Sequence, residues 1–217
     1  MNARTPGAAR DLLQAAVAFG LWTAVVQLGW LPMQYGLGAL ALLAVAWPPR
    51  VAWGRPAVGA VLGRYLPFAV VWLAFLIVYL RAMHALGWTV PVQPMLKQLA
   101  DQGLATRDCA MLCTTIVVLG PLAEEFVYRG CLWTGLAVAA PRGVVHAVVA
   151  VLFGLAHGPY YALPIAVLGA FFGWLRARHD ALLPSVVAHM FHNGLTVFVT
   201  LAWPGHLALL YPAPAGS

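Results

Sequence analysis

The stretch Gly120-Pro121-Leu122-Ala123-Glu124-Glu125-Phe126-Val127-Tyr128-Arg129-Gly130 lies inside about thirty mostly apolar residues, Ala110 to Ala140, and holds both glutamates of the chain. An ionised side chain at bilayer depth costs roughly 2.5 to 3.5 kcal/mol on insertion scales, so two adjacent carboxylates there call for a partner or a use. On a helix, Glu125 and Arg129 stand at i and i+4 with the acid first, the favourable order for an ion pair. Glu124 points about 100° away and has Tyr128 at its own i+4 position, so no base on its own helix neutralises it. A salt bridge explains one of the two acids and leaves the other to be explained.

The chain around this stretch is a membrane protein. Its 217 residues are 63% hydrophobic and 8% charged, with a mean hydropathy of +0.85, which excludes a soluble domain with a polar surface. An all-α, polytopic helical bundle embedded in the lipid bilayer is the expected fold. The net charge of +6 comes from eleven arginines and one lysine, spread thinly and without aromatic interleaving, so it reads as loop charge and not as a nucleic-acid footprint.

Seven transmembrane helices are predicted. Before the glutamate span, the run Leu12 to Leu31 follows the two arginines of the amino end and is too long for a signal-peptide core. Met33 to Trp47 ends at Pro48-Pro49, where neither proline can donate to the helix ladder. Arg50, Arg55 and Arg64 are placed in the connection to a third span, Tyr65 to Leu80, which Arg81 closes, and Met95 to Leu104 reads as a short amphipathic interfacial helix. Within the fourth span, Gly120-Pro121 predicts a kink just before the carboxylates. Beyond it come a short fifth span (Val144 to His157), a sixth (Tyr160 to Leu175), a charged loop with Arg176, Arg178, His179 and Asp180, and a seventh (Leu182 to Trp203).

The chain thus forms one membrane domain: spans and an interfacial segment over 1–108, core helices over 109–203, and a tail over 204–217. Arginines 50, 55, 64, 142, 176 and 178 fall on the amino-terminal side of this count, which places the amino end inside, in a bacterial inner membrane; Arg81, Lys97 and Arg107 run against it. The three cysteines, Cys109, Cys113 and Cys131, form no metal motif and read as small buried hydrophobes.

Other polar groups are spaced to join Glu124. His157 ends the fifth span, 33 residues after Glu124, and His189 follows 32 residues later on the seventh, one helical turn from Asn193. Counted from the inner helix ends, Glu124, His157, Asn193 and His189 lie 16, 13, 11 and 7 residues deep. At about 1.5 Å per residue this is a spread of roughly 14 Å, within reach once side chains are added.

Glu124-Glu125-x-x-x-Arg129, Phe153-x-x-x-His157 and His189-x-x-x-Asn193, in that order on separate membrane helices, resemble the CPBP family of intramembrane endopeptidases, which comprises CAAX proteases and bacteriocin-processing proteins and is also called the Abi family. The resemblance covers about Gly120 to Leu201. It implies an endopeptidase that cleaves near the carboxyl end of a membrane-associated or prenylated peptide substrate, with Glu124, His157, His189 and Asn193 as catalytic residues and Glu125 and Arg129 in support. That agrees with the chemistry: a desolvated carboxylate has a raised pKa suited to taking a proton from water, and polar hydrogens stabilise the oxyanion. In this assignment Glu124 is the base, His157 orients the water, His189 and Asn193 face the oxyanion, and no cofactor is needed.

Competing readings remain open at this stage. Glu124, His157 and His189 are also a three-ligand set for a catalytic zinc, although the chain has no His-Glu-x-x-His helix and Asn193 suits hydrogen bonding better. Within the family, removal of carboxyl-terminal membrane-anchor sorting signals is the alternative to prenyl-peptide cleavage. Outside it stand a transporter that relays protons and a non-catalytic immunity-type scaffold, in which buried polar residues merely pin helices together. Glu125 and Arg129 need no more than such pinning. No motif claims His192, which reads as packing or a pocket rim; His84, His146, His179 and His206 read as loop or interface residues, Phe153 as packing, and Tyr128 as packing or substrate contact.

Overall fold

The computed structural model describes residues 6–26, 33–102 and 107–211. Residues 2–5 of the amino end, the expected end of the first span at 27–31, positions 103–104 of the interfacial helix and the tail beyond 211 lie outside the described residues. The elements are α1 (Pro6–Val26), α2 (Met33–Ala46), α3 (Val58–Ala85), α4 (Pro94–Gln102), the continuous helix α5 (Arg107–Leu136), α6 (Arg142–Leu155), α7 (Ala162–His179), α8 (Leu183–Ala202) and α9 (His206–Leu210). Among the described residues the one extended pairing is an isolated bridge between Ala52 and Ala181.

The seven expected spans each find a helix. Four of these, Gly7–Val26, α3, α5 and α8, are long and apolar enough to cross a membrane, whereas α2 and α6 are shorter apolar helices of 14 residues each. Helix α7 has 18 residues and ends in Arg176, Arg178 and His179. The third span is longer than expected, since α3 runs for 28 residues and contains Arg64 and Arg81 instead of stopping at them. The reason is geometric: about 42 Å of helix exceeds a hydrocarbon core of about 30 Å, so arginines near both ends reach polar surroundings without breaking the ladder.

In place of a simple kink at Gly120-Pro121, α5 contains two wide, π-helical stretches, Thr115–Leu119 and Phe126–Leu132, flanking the α-helical segment Gly120–Glu125 that carries the glutamates. Proline lacks an N–H and crowds the carbonyl four residues back, and a wider turn relieves both.

The chain divides into two compact units. The first comprises residues 1–61 and 122–187. Its closest helix pair is α6 with α7, where Gly154 lies against the carbonyl of Ala162 and a Cβ at 154 would stand 2.8 Å from that of Ala166. Small residues bring membrane helices together because apolar lipid supplies no hydrophobic drive for side chains to associate. Helix α1 packs on the second wide stretch of α5. Gln14, buried on α1, donates to the carbonyl of Trp47, and Arg10 donates to that of Pro48 at 2.9 Å. The amides of Leu182 and Leu183 bond to the carbonyls of Ala52 and Trp53.

The second unit comprises residues 62–121 and 188–217. Leu99, Cys109 and Val197 form its core, with Leu112, Cys113, Ile116, Val117 and Leu201 packed against them. Helix α4 is amphipathic as expected, burying Leu96 and Leu99 while Lys97 and Asp101 pair on its exposed side at 3.1 Å. None of the three cysteines is in a disulfide; Cys109 and Cys131 are buried and Cys113 is partly so.

Candidate active site

Glu124, Glu125, Arg129 and His157 belong to the first unit, His189 and Asn193 to the second.

In the first unit the expected ion pair is present. Arg129 Nη1 donates to Glu125 Oε1 at 3.1 Å, and both side chains are fully buried. The second terminal nitrogen, Nη2, donates to the carbonyl of Gly169 on α7 at 2.7 Å. The guanidinium lies 4.3 Å from the ring centroid of Phe153 on α6, with Phe172 and Tyr128 at 5.7 and 5.9 Å. Arginine suits this place because its planar fork divides between a carboxylate and a carbonyl while its faces meet aromatic rings. Gly169 is required by the close approach: a Cβ there would stand 2.8 Å from a Phe153 ring carbon and 3.1 Å from Arg129 Nη2. One arginine therefore joins α5, α6 and α7.

Glu124 differs from its neighbour. It is half-buried where Glu125 is sealed. One turn on, Tyr128 is buried and stands edge-on to Phe153 at 5.1 Å and to Phe19 at 5.9 Å. Tyr128 thus packs against Phe19 and Phe153 one turn from Glu124.

His157 follows the end of α6, and its Nδ1 lies 2.8 Å from the carbonyl oxygen of Phe153. A carbonyl only accepts, so Nδ1 carries the hydrogen and a neutral ring keeps Nε2 as its basic atom. Its ring packs on that of Phe153 at 4.9 Å. Phe153, expected only to pack, holds the histidine by its backbone and the arginine by its ring.

In the second unit, His189 is buried on α8. Asn193, one turn further, donates from Nδ2 to the carbonyl of Ile116, in the first wide stretch of α5, at 2.8 Å. His192 is buried, with Nδ1 2.8 Å from the hydroxyl of Tyr65 and its ring edge-on to Trp72 at 4.8 Å. Its expected packing role is met, and the residues that provide it, Tyr65 and Trp72, have no distinguishing signal in the sequence. His146 sits in the early part of α6 and not in a loop, with its ring 5.5 Å from that of Trp133, because α6 begins at Arg142 and turns this position toward α5.

Among the described residues no three His, Cys, Asp or Glu side chains gather in metal-ligand geometry.

Residues 106–195 match the family described as type II CAAX prenyl endopeptidase, Rce1-like. The matched stretch contains every candidate site residue and bears out the resemblance read from the sequence. No curated protein and no solved structure matches the chain.

Proposed function

We propose, taking the place of residues 106–195 in the CAAX-protease family as the premise, that the chain is an integral membrane endopeptidase that hydrolyses a peptide bond near the carboxyl terminus of a prenylated peptide, using water activated by Glu124. The observation that carries the assignment is the unequal burial of the two adjacent acids. Glu125 is sealed and neutralised by Arg129, while Glu124 is half-buried beside Tyr128 and can meet water.

In this reading Glu124 accepts a proton from a water molecule that His157 orients through Nε2. The hydroxide attacks the scissile carbonyl carbon, and the oxyanion is met by His189 and by the Asn193 N–H not engaged with Ile116. The proton then passes from Glu124 to the leaving nitrogen as the C–N bond breaks. A positioned general base contributes about 10² to 10⁴ in rate, and one oxyanion donor about 2.7 to 4 kcal/mol. No metal or other cofactor takes part.

The test compares carboxyl termini of membrane proteins in cells carrying the native chain and Glu124→Gln, together with turnover of a fluorogenic farnesylated peptide by both purified chains. The variant should keep its fold and KM and lose about 10² to 10⁴ in kcat. Turnover at the native rate would remove Glu124 as the base. New termini at membrane-anchor signals, with no prenyl-peptide cleavage, would redirect the substrate to sorting. Identical termini and no cleavage would favour a non-catalytic transporter or scaffold.

A further inference from the structure

Accounting for the backbone hydrogen bonds around Pro121 gives Asn193 a second task. In the first wide stretch the amide of Gly120 bonds to the carbonyl of Thr115, five residues back. It is thereby taken from Ile116, its partner in an ordinary α-helix. The π-type partner of the Ile116 carbonyl is the amide of residue 121, which is proline and has none. Both ladder donors for that carbonyl are therefore missing, in a segment where lipid offers no replacement. Asn193 Nδ2 meets it at 2.8 Å.

We propose that Asn193 is a positioning residue that holds the wide turn of α5 open by capping the Ile116 carbonyl, and that this turn sets the direction in which Glu124 points. A wide turn accommodates one residue more than an α-turn, so positions after it are rotated about 100° relative to those before it. Adjacent residues on a helix differ by that same angle. Closing the turn would therefore swing Glu124 into the direction that Glu125 now has and put Ala123 where Glu124 now points. The distinct roles of two neighbouring glutamates then rest on a turn one amide side chain maintains. This inference deepens the reading of the site given above and rests on it for the catalytic consequence alone.

A double-mutant cycle tests it, because Pro121→Ala returns an amide to the ladder and removes the need for Asn193. Asn193→Ala should raise hydrogen exchange over residues 114–124 and lower kcat on a farnesylated fluorogenic peptide by about tenfold or more, with KM within about threefold. In the Pro121→Ala background the same substitution should leave exchange over residues 114–124 unchanged and cost at least about tenfold less in kcat than it does in the native chain, the remaining loss being that of the oxyanion donor. An equal loss in both backgrounds, or no change in exchange on Asn193→Ala, would overturn the proposal and leave Asn193 as an oxyanion donor only. If the native chain cleaves no prenyl peptide, or Pro121→Ala is itself inactive, the exchange arm decides. Failure of the protease reading and failure of the positioning role thus give separate results.

Discussion

Arg129→Met should be among the most damaging single substitutions in the protein, and the damage should be largely reversed by removing Glu125 as well. Arg129 holds Glu125 at 3.1 Å and the Gly169 carbonyl at 2.7 Å, both inside a fully enclosed site. Methionine fills much of the arginine volume, so the main consequence is a buried carboxylate that has lost its cationic partner, and breaking a buried pair on one side costs roughly 3 to 5 kcal/mol. In Glu125→Leu/Arg129→Met no charge remains, and replacement of a whole buried pair by apolar groups is often neutral or better. The Gly169 carbonyl still loses its donor, so the double variant should lie about 1 to 3 kcal/mol below the native chain. Unfolding by titration with SDS in mixed micelles, followed by tryptophan fluorescence, measures both. A single variant within about 1 kcal/mol of native, or a double variant no more stable than the single, would refute the view that Arg129 exists to neutralise Glu125. The double variant should also retain turnover in its folded fraction, which separates a supporting acid from a catalytic one.

Gly169→Ala would place a Cβ 2.8 Å from the Phe153 ring and 3.1 Å from Arg129 Nη2, so it should lower stability by roughly 1 to 3 kcal/mol in the same titration. Gly143→Ala, where a Cβ meets nothing within 4 Å, is the control and should be neutral or slightly stabilising. Treatment with 1,10-phenanthroline should leave peptide turnover unchanged if Glu124 activates water without a metal. Loss of turnover that added zinc restores would instead assign Glu124, His157 and His189 as ligands.

The parts of this protein legible in the sequence are those set by hydropathy and by spacing within one helix. The span positions follow from apolar runs, and the Glu125–Arg129 pair follows from an i, i+4 spacing that survives the wide second stretch of α5. Helix ends were less legible, as Arg64 and Arg81 inside α3 illustrate, because a long helix can carry its charges to the interface without stopping. Contacts between helices, such as Arg129 with Gly169 or His192 with Tyr65, depend on packing that no local pattern encodes. Pro121 lies between these cases. Its missing amide is visible in the sequence, and it guarantees that a carbonyl four or five residues earlier needs another donor. What the sequence leaves undecided is which carbonyl, since that depends on whether the turn is α or π, and which side chain answers it. The Gly120 bond to Thr115 settles the first question in favour of Ile116, and Asn193 settles the second. An asparagine on an apolar helix that is read as an oxyanion donor by spacing alone is, by backbone accounting, first of all the completion of the proline turn ahead of the glutamates.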